Sequence, residues 1–158
     1  SLEINLKSWR HEIDVSLMGT LLMTSLFSQN MINKGYGRII NIGSDLSLIA
    51  PNQDLYKNIY NNFEKSPGYT VTKHGLWGMT KHFASLFGDN GVNVNMLSPG
   101  PIYNNHDKRL VNRLKKSIPK KRMGKPNELL SAIDFLIDDK NSFMTGANIV
   151  IDGGKTII

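Results

Sequence analysis

Apolar positions change their period repeatedly along the chain, and each change marks an element. From Trp9 to Ile32, residues Trp9, Ile13, Leu17, Leu21, Leu22 and Leu26 recur at helical spacing, with Ser8 as the expected N-cap and Asn33-Lys34-Gly35 as the stop. Both faces of this helix carry apolar side chains, which predicts burial against a sheet and against a second helix. Arg38-Ile39-Ile40-Asn41-Ile42-Gly43 is mostly β-branched with little polar alternation, the pattern of a parallel-sheet strand covered on both faces. Gly35-Tyr36-Gly37 precedes that strand, whereas a dinucleotide loop follows a strand and opens a helix, so it is not a phosphate loop.

A second helix is predicted over Tyr69–Phe87, with Leu76, Thr80, Phe83, Ala84 and Phe87 on one stripe and Gly88-Asp89-Asn90-Gly91 as its end. Gly75 and Gly78 weaken it by roughly 1 kcal/mol each relative to Ala. Their small size also lets another helix approach, so a helix-packed dimer face is expected. Val92 to Leu97 reads as a second strand, with Asn93 and Asn95 on one face, stopped by Ser98-Pro99-Gly100-Pro101. Leu129, Ile133, Leu136 and Ile137 predict a short third helix capped by Asn127. A last strand runs over Ala147–Ile151, between Gly146 and Asp152-Gly153-Gly154.

Alternation of helix and strand predicts an α/β fold with right-handed crossovers and a parallel sheet. Three strands are few for such a sheet. The first reads as central, so a partner strand on its far side is missing, and an unpaired apolar edge is an aggregation liability. The opening Ser1-Leu2-Glu3, without an initiator Met and already in helical pattern, reads as a cut within a longer protein.

Composition narrows the class. A chain of 158 residues is one domain with room for a core, and no apolar run approaches the ~20 residues of a membrane span. Zero cysteines exclude disulfides and thiolate metal sites and fit a reducing cytoplasm. His11, His74, His82 and His106 lack ligand spacing, so no metal site is expected. The net charge of +6 is local: nine of the 19 basic residues lie between Lys108 and Lys125, with no acid among them. A solvated helix face accounts for such a run, and contact with an anionic ligand is the functional alternative. No nucleic-acid motif accompanies it.

Candidate chemistry centres on Tyr69 and Lys73. At i and i+4 on a helix, a phenol and an ammonium point into the same space. A free tyrosine titrates near 10, so base work at neutrality needs a shift of roughly 2–3 units, and a fixed cation beside the phenolate supplies it. Ser44 leaves the C-terminal end of the first strand, where open parallel sheets place their ligands. Between Ser44 and Tyr69 lies a polar stretch, Pro51–Pro67, with Tyr56, Tyr60 and Phe63. Such long loops are lids, flexible segments or sites of aromatic contact to a sugar, with simple packing as the plainer reading.

Five motifs in register make the chain resemble the C-terminal part of the short-chain dehydrogenase/reductase family. They are Gly37-Arg38-Ile39-Ile40-Asn41-Ile42-Gly43-Ser44; Tyr69-x-x-x-Lys73; Val92-Asn93-Val94-Asn95-x-x-Ser98-Pro99-Gly100; Pro119 with Arg122-Met123-Gly124-x-Pro126-x-Glu128; and Thr145-Gly146-Ala147-Asn148-Ile149-Val150-Ile151-Asp152-Gly153-Gly154. Asp45-Leu46-Ser47 and the following loop resemble a subgroup found in bacterial sugar and nonulosonic-acid biosynthesis. The resemblance implies an incomplete Rossmann-type parallel sheet: the last three strands with flanking helices, the N-terminal strands missing. It implies an NAD(P)-dependent oxidoreductase, a homodimer or homotetramer when complete.

By the same resemblance, Ser44 would hold and polarise the substrate oxygen, Tyr69 would be the general acid/base, and Lys73 would lower its pKa and bond the nicotinamide ribose. Pro99, Gly100 and Ile102 would lie along the nicotinamide, and residues 104–125 would form a basic substrate lid suited to an anionic or sugar-like substrate. There are departures. Ser16 replaces the family's water-holding Asn, Asn104 stands near its usual Thr, and the glycine-rich turn that seats the pyrophosphate is absent from the sequence. Two other readings stand beside the oxidoreductase: a non-catalytic remnant that keeps the dimerisation helices, and an anion or nucleic-acid module built on the basic segment. Saturable NAD(P)H binding counts against the remnant, and the module requires steep salt dependence.

Overall fold

The computed structural model describes residues 5–60 and 63–158. The Ser1-Leu2-Glu3 start, and Asn61 and Asn62 of the 51–67 stretch, lie outside the described residues. The first helix begins earlier than its periodicity predicts: α1 (Leu6–Ile13) passes through a π-helical turn at Asp14–Met18 into α2 (Gly19–Lys34). Its N-cap is Asn5, which accepts from Ser8 N at 3.1 Å. Ser8, expected as the cap, lies inside the first turn; both residue types cap well, so composition could not choose between them. Gly35 ends α2 with φ of 64°, a conformation that favours glycine.

Three strands, β1 (Gly37–Ile42), β2 (Val92–Pro99) and β3 (Asn148–Ile151), form one parallel sheet in the order β1-β2-β3. Ile39 pairs with Val94, and Leu97 with Ile149. Around the sheet lie α3 (Pro67–Phe87), α4 (Lys108–Lys116) and α5 (Leu130–Ile137). On one face Phe83, Ala84 and Phe87 of α3 pack on Val92 and Val94, with Leu21 and Met31 of α2 beside them. On the other, Ala132 and Leu136 of α5 pack on Leu97. Each fully buried aliphatic side chain contributes about 1.5–3 kcal/mol relative to exposure.

β2 is the central strand, and its two asparagines are buried because they tie down the chain ahead of β3. Asn93 Nδ2 donates to Asn141 O at 3.3 Å, and Asn95 Nδ2 to Met144 O at 3.0 Å, while Asn95 Oδ1 accepts from Ala147 N at 3.0 Å. Asn127 does not cap α5. It sits within a 3₁₀ turn, Pro126–Leu129, where the Glu128 carboxylate accepts from Lys125 N at 2.8 Å.

Among the described residues β1 has a free far edge, as the missing partner strand predicts. No described strand pairs with that edge, and Ile42 at its end is 51% exposed. α2, by contrast, is not covered on both faces as expected: Leu22 and Leu26 are 64% and 70% exposed. Gly75 serves this chain's own packing, since a Cβ there would lie 3.1 Å from Leu17; Gly78 has open space around it. The 51–67 stretch has local order, a 3₁₀ turn at Gln53–Leu55 whose Leu55 is buried with Leu110, Leu114, Ile118 and Met123.

Candidate active site

Strand ends and one helix start build the site. β1 stops at Ile42, and Gly43 N still bonds Leu97 O at 2.8 Å. Any side chain at Gly43 would meet Ser98 Oγ at 2.7 Å, so the chain leaves the sheet pressed against β2. Ser44 follows in extended backbone and caps the 3₁₀ turn Asp45–Ser47, accepting from Leu46 N at 3.2 Å. Its hydroxyl donates to Asp45 Oδ1 at 2.8 Å. Asp45 Oδ2 is paired with the Lys155 ammonium, side chains 7% and 11% exposed.

α3 begins at Pro67 because Ser66 caps it, accepting from Gly68 N at 3.0 Å and donating to Glu12 Oε2 at 2.9 Å. Gly68 allows Trp9 and Glu12 of α1 to lie directly against the helix start. Tyr69 therefore enters in the first turn of α3, with Lys73 one turn on. Lys73 Nζ donates to Ile42 O at 2.9 Å and lies 5.8 Å from the centre of the Tyr69 ring. Burial, and then the charge of Lys65, push its ammonium below the usual lysine range. One hydrogen bond leaves Lys73 two further donors. Tyr69 makes no hydroxyl hydrogen bond among the described residues.

Ser44 and Tyr69 line one cavity of about 370 Å³, together with Gly100, Pro101 and Ile102 from the loop after β2. This volume suits a small molecule. Lys73 and Ser16 line a different space, a groove along the free edge of β1 that also includes Ile42. Ser16 sits in the π-helical turn, half-buried, its carbonyl accepting from Thr20 Oγ1 at 2.8 Å. Pro99 ends β2 in register with Ile151. Gly100 bonds Ile151 O through its N–H at 2.9 Å, and a Cβ there would meet Asp152 Cα at 2.6 Å. Ile102 bridges Gly124 in parallel pairing, which clips this loop to the chain ahead of α5.

Expectations for the basic segment change most. None of its nine cations lines the Ser44–Tyr69 cavity; the segment contributes His106, Leu110, Leu114 and Met123 instead. Arg113 donates to the carbonyls of Asp54, Leu55 and Lys57 at 3.0, 3.1 and 2.7 Å, and Arg109 to that of Asn58 at 2.9 Å. Arg122 pairs with Glu128 through two hydrogen bonds, holding that carboxyl down at about 2. The six lysines of the segment are exposed. The three arginines act as fastenings, because guanidinium forks suit backbone carbonyls as well as anions, while Lys120 and Arg122 line a separate cavity with Gly100, Pro101 and Ile102.

Sequence reasoning gave Asp45 no role and did not single out Lys155 or Lys65. Asp45 and Lys155 are 110 positions apart, and no local period announces such a pair. Lys65 lies over the Tyr69 ring, its Nζ 4.0 Å from the ring centre. Among the described residues no group of histidines and acids could hold a metal ion, and no helix is long and apolar enough to cross a membrane.

A parallel sheet flanked by helices, with polar side chains gathered at the C-terminal strand ends, defines a Rossmann-type α/β protein. The family model described as enoyl-(acyl carrier protein) reductase matches residues 1–156. D-threitol dehydrogenase of Mycolicibacterium smegmatis is 32% identical over 160 residues, covering 98% of this chain and 57% of that protein. A short-chain dehydrogenase of Leptospira borgpetersenii with bound NAD+ superposes with a TM-score of 0.89 at 28% identity, over 98% of this chain and 58% of that one. A gluconate 5-dehydrogenase of Burkholderia cenocepacia, in complex with NADP and tartrate, gives 0.88 at 26% identity, over 99% and 59%. The chain belongs to the short-chain dehydrogenase/reductase family, and it spans a little over half the length of these relatives.

Proposed function

We propose that this chain supplies the proton-transfer side of an NAD(P)-dependent oxidoreductase that interconverts a hydroxyl and a carbonyl on a small, polar, sugar-like substrate. The observation that carries the reading is Tyr69, one helical turn from Lys73, sharing a small cavity with Ser44 at the strand ends. In the oxidising direction Tyr69, as phenolate, takes the hydroxyl proton of the substrate. Ser44 Oγ, whose hydroxyl otherwise donates to Asp45 Oδ1, turns that hydrogen bond to the substrate oxygen. Lys73 favours the phenolate by its charge, and Ser16 holds a water for the proton's exit along the β1 groove. In the reducing direction the same proton returns from Tyr69 to the carbonyl oxygen. A nicotinamide, when bound, accepts or supplies the hydride at the carbinol carbon.

The residues present fit one end of such a cofactor. The free hydroxyl of Tyr69 and the two spare donors of Lys73 suit a ribose diol, and Pro99, Gly100 and Ile102 offer a mostly apolar flank. No glycine-rich turn in the sequence suits the pyrophosphate. Residues 51–67 and 104–125 would close over the substrate, and the exposed Leu22 and Leu26 of α2 supply a face for a homodimer or homotetramer in the cytoplasm. In the intact protein, Tyr69→Phe lowers kcat for nicotinamide-dependent alcohol oxidation by roughly 10²–10⁴-fold. Near-normal turnover would refute the assignment.

Exposure of that same α2 face, 64% at Leu22 and 70% at Leu26, supports a second reading: a non-catalytic scaffold that pairs through its helices. It requires that NADH fail to bind the intact protein; saturable binding removes it.

A further inference from the structure

Resting on the oxidoreductase reading, we infer that the substrate carries a carboxylate, and that Lys65 is the residue that anchors it. Lys65 lies at the end of the 51–67 stretch, half-buried, and lines the Ser44–Tyr69 cavity. Its backbone is pinned by one side chain: Gln53 Oε1 accepts from Lys65 N at 2.8 Å, and Gln53 Nε2 donates to Lys65 O at 2.9 Å. The ammonium is thereby placed over the ring of the acid/base, 4.0 Å from its centre.

Apart from the Tyr69 ring, nothing among the described residues occupies that ammonium. It makes no ion pair and donates no hydrogen bond, although the fields of Asp45 and Glu12 both reach it. Asp45 is taken by Lys155, and Glu12 by Ser66. Burial pushes the Lys65 ammonium below the usual lysine range, and neighbouring Lys155 adds to that. A half-buried cation without a counter-charge is costly, and an anionic ligand offsets the cost.

Charge count selects the anion. Of the aspartate and lysine side chains lining the cavity, Asp45 cancels Lys155 and Lys65 remains, so with the Tyr69 phenol protonated one negative charge brings the site to neutrality. A monocarboxylate does so, whereas a phosphate dianion overshoots. Lys73 is not the anchor, since it is bonded to Ile42 O and lines the β1 groove. Nor is any of the nine cations of residues 108–125, none of which lines this cavity.

The test compares D-gluconate with D-glucitol, which share a hydroxylated chain and differ in one carboxylate. Both are titrated calorimetrically into the intact protein and assayed as substrates with NAD and NADP. Gluconate is expected to bind roughly ten- to hundredfold more tightly than glucitol, as befits one charge-assisted contact in a half-buried site. Lys65→Met and Lys65→Gln abolish this preference, in KM more than in kcat, and Lys65→Arg restores part of it.

Equal affinities, no binding of either probe, or an equal loss for both probes in Lys65→Met overturn the inference. So does a Lys65→Met variant that weakens NADPH and leaves the gluconate preference intact, which makes Lys65 a cofactor contact. Tyr69-dependent turnover of glucitol without a gluconate preference sinks the carboxylate site and leaves the oxidoreductase standing. Lys65-dependent gluconate binding without nicotinamide-dependent turnover of any alcohol does the reverse.

Discussion

Two sets of cations occupy this chain, and they behave oppositely. Nine lie between Lys108 and Lys125, a density that catches the eye in the sequence. Three others, Lys65, Lys73 and Lys155, are scattered over 91 positions and unremarked as a group, yet they surround Tyr69 and Asp45 in the fold. In the dense set the arginines fasten residues 54–58 and the 3₁₀ turn before α5, and the lysines are exposed. In the sparse set each ammonium is at least half-buried, where a charge acts through a lower dielectric and its pairing matters more. Position, not number, decides which cations can do chemistry.

The largest expected effect lies in the sparse set. Asp45→Asn in the intact protein leaves Lys155 buried without its counter-ion, and breaking such a pair costs about 3–5 kcal/mol. Urea unfolding should show the midpoint fall, and turnover should fall with it as Lys155 no longer holds the side chain that fixes the Ser44 hydroxyl. An unchanged midpoint would erase the distinction between the two sets.

A smaller effect belongs to the dense set. Arg113→Ala leaves the carbonyls of Asp54, Leu55 and Lys57 without their donor, at a cost of about 1–2 kcal/mol, while Lys115→Gln and Lys116→Gln stay within about 0.5 kcal/mol. Thermal unfolding of the three variants measures the difference. Equal losses would mean that the segment acts as a charge field after all.

Smallest is an acid-side effect at Glu128. Its carboxyl is held at about 2 against a usual 4.5, foremost by the hydrogen bonds from Arg122. A depressed carboxyl binds fewer protons folded than unfolded, so its contribution is present above about 4.5 and is lost as pH falls through about 2. Unfolding midpoints followed over that window should decline less in Glu128→Gln than in the natural chain. Identical slopes would show that the pair with Arg122 adds nothing to folding.

Much of the architecture was legible along the chain. The stripe from Leu76 to Phe87 is buried as its spacing requires, and the β-branched run at Ile39 and Ile40 is a strand in a parallel sheet. Helix starts were less so, at Asn5 against Ser8 and at the 3₁₀ turn that holds Asn127, because several polar residues in a row can all cap. Tyr69 with Lys73, and Ser44 at a strand end, could be found by spacing and by position after an apolar run. Their separation into a cavity and a neighbouring groove could not.

By itself the sequence determined the alternation of elements, the i, i+4 geometry of Tyr69 and Lys73, and the family. These follow from local periods and short motifs, which depend only on neighbours along the chain. Only the tertiary structure decided which charges meet which. Asp45 finds Lys155 across the sheet, Arg113 finds three carbonyls some 56–59 positions away, and Lys65 comes to rest over Tyr69 because Gln53 holds its backbone. Such pairings have no period, since folding, not spacing, brings their members together.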